Sequence, residues 1–153
     1  MRIAIVIPAL DEAENLPRLI AAIPRLNRSQ VRSDDRSDDF SRPATDAQAA
    51  TTDHVEVIVA DNGSTDNTAE AAMAAGARVV SEPRRGYGFA CAAGVRAAEL
   101  ADVIVFLDGD GSSDPAELPA LLAPLREDRA DLVLGSRLLE GEREREAMLP
   151  HQR

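Results

Sequence analysis

Lysine is absent from this 153-residue chain, and all 17 of its basic residues are arginine. That absence excludes a Schiff base, a Walker-A phosphate loop and any mechanism with a lysine at its centre. Tryptophan is absent too, and one tyrosine and three phenylalanines are the whole aromatic complement. A core must therefore be built from Ala, Val, Leu and Ile, for which the 44% hydrophobic content is enough. Cys91 stands alone, so an internal disulfide is excluded. Met1-Arg2 leads straight into a short apolar run without the pattern of a signal peptide. No apolar stretch approaches the roughly 20 residues that span a bilayer, and the chain reads as cytoplasmic. Positive charge is scarce as well: the formal net charge is −10. A nucleic-acid backbone or an anionic lipid surface is not expected as the main partner. The length suits one domain.

What is present is organised around Val103–Ser113, V-I-V-F-L-D-G-D-G-S-S. Val103 to Leu107 is an unbroken apolar run, expected as the central strand of a parallel sheet, buried on both faces. Asp108 and Asp110 follow at the carboxyl end of that strand, where open α/β sheets collect ligands. Side chains two apart in an extended segment project to one side, so both carboxylates can reach one cation. Gly109 and Gly111 allow a ligand to come close. Two hard oxygen ligands with room beside them suit Mg²⁺ or Mn²⁺ holding a substrate phosphate. An acidic turn without a ligand explains the same residues.

The chain alternates strand-like and helix-like stretches. Ile3–Ile7 reads as a strand stopped by Pro8, and Leu16, Leu19, Ile20 and Ile23 fall at helical spacing behind Asp11, Glu12 and Glu14. Those acids suit the first turn of a helix as well as a ligand. Residues 27–53 alternate Arg and Asp with many Ser and Thr, and read as a disordered insertion. Val55–Ala60 is the second strand, followed by D-N-G-S-T-D-N-T and a helix capped by Asp66 or Thr65 and ended by Gly76. Ala77–Ser81 is the third strand, followed by a glycine-rich turn and a small-residue helix. Asp114 and Pro115 open a helix reaching about Glu127. Asp131–Gly135 is expected as a fifth strand, before the solvated run that follows Ser136. This order predicts a mostly parallel sheet flanked by helices.

Three motif readings fit poorly. Gly86-Tyr87-Gly88-Phe89-Ala90-Cys91 imitates a dinucleotide fingerprint, but Cys91 replaces the third glycine and the motif follows the third strand. The stretch V-F-L-D-G-D resembles the nucleophile strand of haloacid-dehalogenase-like phosphatases, which also need a lysine. An EF-hand loop fails at Ser113 and Pro119. A fourth reading takes the strand ends together. Pro8–Glu12, Asp61–Asp66, Arg84–Gly88 and Asp108–Asp110 should lie along one sheet edge. There acids can meet a base and ribose, arginines a diphosphate, and the aspartate pair a metal.

I-V-I-P-A-L-D-E-A-E-N-L, V-I-V-A-D-N-G-S-T-D-N-T, R-R-G-Y-G-F-A-C-A-A-G, F-L-D-G-D-G and D-L-V-L-G-S-R together resemble the family 2 glycosyltransferases of GT-A fold. The likeness is to the branch similar to dolichyl-phosphate mannose synthase and bacterial polyprenyl-phosphate glycosyltransferases. It covers the chain except for the arginine- and aspartate-rich insertion.

The resemblance implies transfer of a sugar, usually with inversion, from a UDP- or GDP-sugar to an acceptor such as a polyprenyl phosphate. Residues 1–153 would form a nucleotide-sugar-binding GT-A domain, with 136–153 opening the acceptor region and the acceptor half lying beyond. A module that binds the donor without turnover is the alternative. By motif match, Pro8, Ala9, Leu10 and Glu12 would line the nucleotide and Asp61 would meet the base. Arg85, Gly86 and Gly109 would lie along the donor. Asp108 and Asp110 would be the DXD pair, touching the donor and holding Mg²⁺ or Mn²⁺. Asp110 and Arg137 take the catalytic roles. Tyr87 is a departure, since many relatives carry Lys there, so cationic help falls to Arg84 or Arg85. A polyprenyl acceptor implies work at the inner face of the membrane. A second copy of the chain is a further expected partner, because the sheet edge that an acceptor half would cover is open to association.

Overall fold

A computed structural model describes residues 1–24 and 53–136. Arg137, the remainder of the acceptor region and residues 27–52 of the expected insertion lie outside the described residues. The chain divides into two compact units, Met1–Leu118 and Pro119–Arg153.

The first unit carries four strands: β1 (Arg2–Ala9), β2 (His54–Asp61), β3 (Arg78–Ser81) and β4 (Val103–Phe106). They pair in the order β3-β2-β1-β4, and every pairing is parallel. Between them run α1 (Leu16–Ala22), α2 (Thr68–Ala74) and α3 (Tyr87–Ala97). The steps from β1 to β2 to β3 go one way across the sheet, so right-handed crossovers put α1 and α2 on one face, in mutual contact. The return to β4 puts α3 on the other face, against β1 and β2. The winding therefore reverses between β1 and β4, at the switch point where α/β sheets bind ligands.

β1 is the strand buried on both faces, since every residue from Ile3 to Ala9 is buried. The central place expected for Val103–Leu107 is thus corrected: β4 is an edge strand among the described residues. Its burial alternates, with Phe106 50% exposed. An apolar run shows that a segment can be buried, but the number of its neighbours is set by the topology. β1 also continues through Pro8, which pairs with Ala60. The Val6 carbonyl accepts from Leu107, so alternate residues of β1 face β4. Pro8 faces that way beyond the last pair, Val6 with Phe106, where a missing N–H breaks no ladder bond.

Small residues let α3 approach the sheet. A Cβ built on Gly94 would lie 2.2 Å from Val6 Cγ1, so helix backbone and strand side chain meet directly. α2 ends as expected at Gly76, at φ 92°, with Gly76 N–H bonded to the Met73 carbonyl and Ala77 N–H to Ala72. Asp53 is buried and pairs with the Met1 amino group at 3.2 Å, so it belongs to the fold and not to the insertion.

Asp114 accepts from Ala116 N at 2.9 Å and opens a short 3₁₀ turn, Pro115–Glu117. α4 (Leu118–Arg126) follows. In the second unit, Asp131–Gly135 is not a strand: it has no ladder partner among the described residues, and Leu134 is 78% exposed.

Candidate functional site

The carboxyl ends of β1, β2 and β4 and the start of α3 surround a cleft of about 330 Å³. Pro8, Ala9, Leu10 and Glu12 line it from β1, Asn62 from β2, Arg85, Gly86, Tyr87 and Ala90 from the β3–α3 connection, and Asp108, Gly109 and Asp110 from β4. The fold thus brings together all the donor-site residues expected from the sequence except Asp61. Asp61 lies outside the lining and accepts from Ser64 N at 3.1 Å.

The acids of the first two loops divide in role. Asp11, at φ 56°, starts no helix; α1 begins five residues later. Its Oδ1 accepts from Thr65 N at 2.6 Å and from Thr65 Oγ1 at 3.2 Å, while its own N–H donates to Ser64 Oγ at 3.0 Å. Glu12 N donates to Thr68 Oγ1 at 2.8 Å and Ala13 N to Asp66 Oδ2 at 3.2 Å. Asp66 also accepts from Thr68 N at 3.0 Å and from the Thr68 hydroxyl, which holds its carboxyl below the usual range. D-E-A and S-T-D-N-T therefore brace one another, and Asp11 and Asp66 are parts of the brace. Glu12 alone of these acids lines the cleft, its Oε2 accepting from Asn15 Nδ2 at 2.7 Å.

The two candidate arginines differ as well. Arg84 donates from Nε and Nη2 to Glu82 at 2.9 and 2.7 Å and lies over the Phe89 ring, 4.6 Å from its centroid. It is committed to the wall. Arg85 lines the cleft and donates to the Gly63 carbonyl at 3.1 Å.

Asp108 Oδ1 accepts from Tyr87 Oη at 3.1 Å, and Asp110 Oδ1 from Ser112 N at 2.8 Å. Burial raises the Tyr87 phenol above its ordinary value, and the adjoining Asp108 adds to the shift. With 61% of the residue exposed, Asp108 is the firmer of these two causes. Gly109 sits against the Pro8 carbonyl and Glu12, where a Cβ would make contact at 3.4–3.5 Å. The aspartate pair offers hard oxygen ligands, and no group of three His, Cys, Asp or Glu side chains suited to a metal occurs among the described residues. Such a pair can share a divalent cation with a ligand's own oxygens, but cannot cage one.

The Glycosyl transferase family 2 model matches residues 4–153. The chain belongs to this family. A glycosyltransferase of Mycobacterium tuberculosis, named as uncharacterized, is 39% identical over 135 residues, covering 88% of this chain and 48% of that protein. The undecaprenyl-phosphate mannosyltransferase of Micrococcus luteus is 36% identical over 145 residues, covering 92% and 50%. Among solved structures, glucosyl-3-phosphoglycerate synthase of Mycobacterium tuberculosis, in complex with Mn²⁺, UDP and glucosyl-3-phosphoglycerate, superposes with a TM-score of 0.54 at 30% identity. That match covers 80% of this chain and 39% of the other. The fold is GT-A. The chain spans about half the length of the curated relatives it matches.

Family motifs do not reveal every residue that shapes this cleft. Asn62, only 5% exposed, accepts from Gly86 N at 2.7 Å and donates to the Glu82 and Arg84 carbonyls. In D-N-G it reads as an ordinary turn residue, and its partners lie 20 to 24 positions away. Ala90 and Tyr87, one helical turn apart on α3, share the cleft face.

Proposed function

We propose that this cleft holds the nucleotide diphosphate sugar of a glycosyltransferase, with a divalent cation carried by Asp108 and Asp110. The observation that carries the reading is the convergence of Pro8–Leu10, Glu12, Arg85, Gly86 and Asp108–Asp110 on one cleft at the switch point. Pro8, Ala9, Leu10 and Glu12 receive the nucleoside, with Asp61 beyond them toward the base. Arg85 faces the diphosphate, and Gly86 and Gly109 leave the backbone open to it. Mg²⁺ or Mn²⁺ at the aspartate pair would offset the charge that develops on the departing diphosphate. The Mn²⁺ and UDP in glucosyl-3-phosphoglycerate synthase support both parts of this reading. Asp110 is assigned to the reacting end; Arg137, the other catalytic residue expected from the family motif, lies outside the described residues.

The acceptor we propose is a polyprenyl phosphate, on the likeness to undecaprenyl-phosphate mannosyltransferase. A phosphate acceptor is already ionised and needs little help from a general base. No helix among the described residues is long and apolar enough to cross a membrane.

Calorimetric titration with UDP-glucose, GDP-mannose and NAD⁺, each with Mn²⁺ and then with chelator, tests the donor site. One of the sugar nucleotides should bind, at least about tenfold more tightly with Mn²⁺ (about 1.4 kcal/mol). Equal affinity for NAD⁺, or binding of neither sugar nucleotide, would overturn the reading. Transfer of radiolabel to undecaprenyl phosphate, with phosphoglycerate as the competing acceptor, tests the acceptor.

A further inference from the structure

We propose that Tyr87 is a positioning residue for Asp108, fixing which carboxylate oxygen is presented to the cation. The proposal rests on the reading of the cleft as a cation-assisted nucleotide site. An ionised carboxylate only accepts hydrogen bonds, through two oxygens. Tyr87 Oη occupies Oδ1 at 3.1 Å, and Oδ2 has no hydrogen-bond partner among the described residues. One oxygen is held and the other is presented.

Tyr87 can do this because its backbone is anchored. It is the first residue of α3, directly after Gly86, whose N–H is bound to Asn62. Further along, α3 is seated on β1 through Gly94 against Val6. The backbone beside Asp108 is tied to β1 through Leu107, whose N–H bonds the Val6 carbonyl, but among the described residues none of its own segment bonds its side chain. It follows an edge strand and precedes a turn containing Gly109 and Gly111, the latter at φ 74°. Asp110 is braced within that turn by Ser112 N. The Asp108 carboxylate is thus oriented from outside its own segment, by α3. Outer partners of metal-binding carboxylates typically affect metal affinity ten- to a hundredfold. A phenol supplies this hydrogen bond without adding a positive charge that would repel the cation.

The test is a Mn²⁺ titration followed by the EPR signal of free Mn²⁺, on wild type, Tyr87→Phe and Asp108→Asn with saturating UDP. UDP affinity in chelator and the thermal midpoint are measured alongside. Tyr87→Phe keeps the ring and removes only the hydroxyl. We expect it to weaken Mn²⁺ binding by roughly ten- to a hundredfold, toward the level of Asp108→Asn, with metal-free UDP affinity and the midpoint unchanged. Mn²⁺ affinity within about twofold of wild type would overturn the positioning role. So would an equal loss of metal-free UDP affinity, which would make the Tyr87 hydroxyl a direct contact to the nucleotide. Wild type that takes up no Mn²⁺ with or without UDP would overturn the underlying reading, and the proposal with it. That failure is distinguishable because it appears before any substitution.

Discussion

Asn62 Oδ1 accepts the Gly86 N–H at 2.7 Å, so the end of β2 sets where the loop into α3 passes the cleft. The Asn62 Nδ2 donates to the Glu82 and Arg84 carbonyls at 2.9 and 2.7 Å, completing the brace. Asn62→Ala would strand these three backbone groups. A buried polar group left unpaired costs about 1–3 kcal/mol, and two of the three bonds here are only partly buried. A loss of about 2–4 kcal/mol in urea unfolding is expected. Asn62→Asp keeps the acceptor but sets a carboxylate against two carbonyls, so it should be no better. Both variants within about 0.5 kcal/mol of wild type would contradict the brace.

Gly94→Ala should destabilise by about 1–3 kcal/mol, because the new Cβ would sit 2.2 Å from Val6 Cγ1. Val6→Ala alone should cost stability by opening a cavity. The pair together should be more stable than the sum of the two losses. Strict additivity in the double-mutant cycle would mean that the helix moves aside instead.

Glu82 carries the acid sensitivity of this region. Side-chain hydrogen bonds from Arg84, then the Arg84 backbone N–H, hold its carboxyl at about 2, against an ordinary 4.5. A carboxyl depressed in the folded state stabilises fully above its unfolded value, and this is lost as pH falls through the folded one. The contribution should therefore be intact above about pH 4.5 and disappear toward pH 2. Glu82→Gln should flatten the thermal midpoint across that window relative to wild type. Parallel curves for the two proteins would contradict the assignment.

Arg84 and Arg85 are neighbours with separable roles. Arg85→Ala should weaken UDP binding by roughly tenfold, about 1.4 kcal/mol, with little change in stability. Arg84→Ala should leave UDP affinity nearly unchanged while lowering stability through Glu82. Calorimetry and unfolding on the two variants check the division, and the opposite pattern would exchange the roles.

Much of this arrangement is legible in the sequence. Strand-like stretches marked the four described strands, and of the acids and glycines after them Glu12, Gly86, Asp108, Gly109 and Asp110 meet at the cleft. Position within the sheet was less legible. Val103–Leu107 is as apolar as a doubly buried strand but stands at an edge, because hydropathy does not count neighbours. Asp131–Gly135 carries a strand-like apolar run, Leu132 to Leu134, and finds no partner among the described residues. The least visible features were polar contacts between loops. Asp11 with Thr65, Asn62 with Gly86 and Tyr87 with Asp108 are 54, 24 and 21 positions apart. Each residue has a sufficient local explanation as a helix-start, turn or small-helix residue, so only the fold shows its partner.

The most direct test of the central claim is amide NMR of the labelled protein with UDP and Mg²⁺, followed by trace Mn²⁺. Shift changes should cluster at Leu10, Glu12, Asn62, Arg85 and Gly86, and Mn²⁺ broadening should centre on Asp108–Ser112. Changes centred instead on Arg18, Ser113 and Asp114, which line an adjoining cleft beside α1 that shares Asp110, would contradict the account.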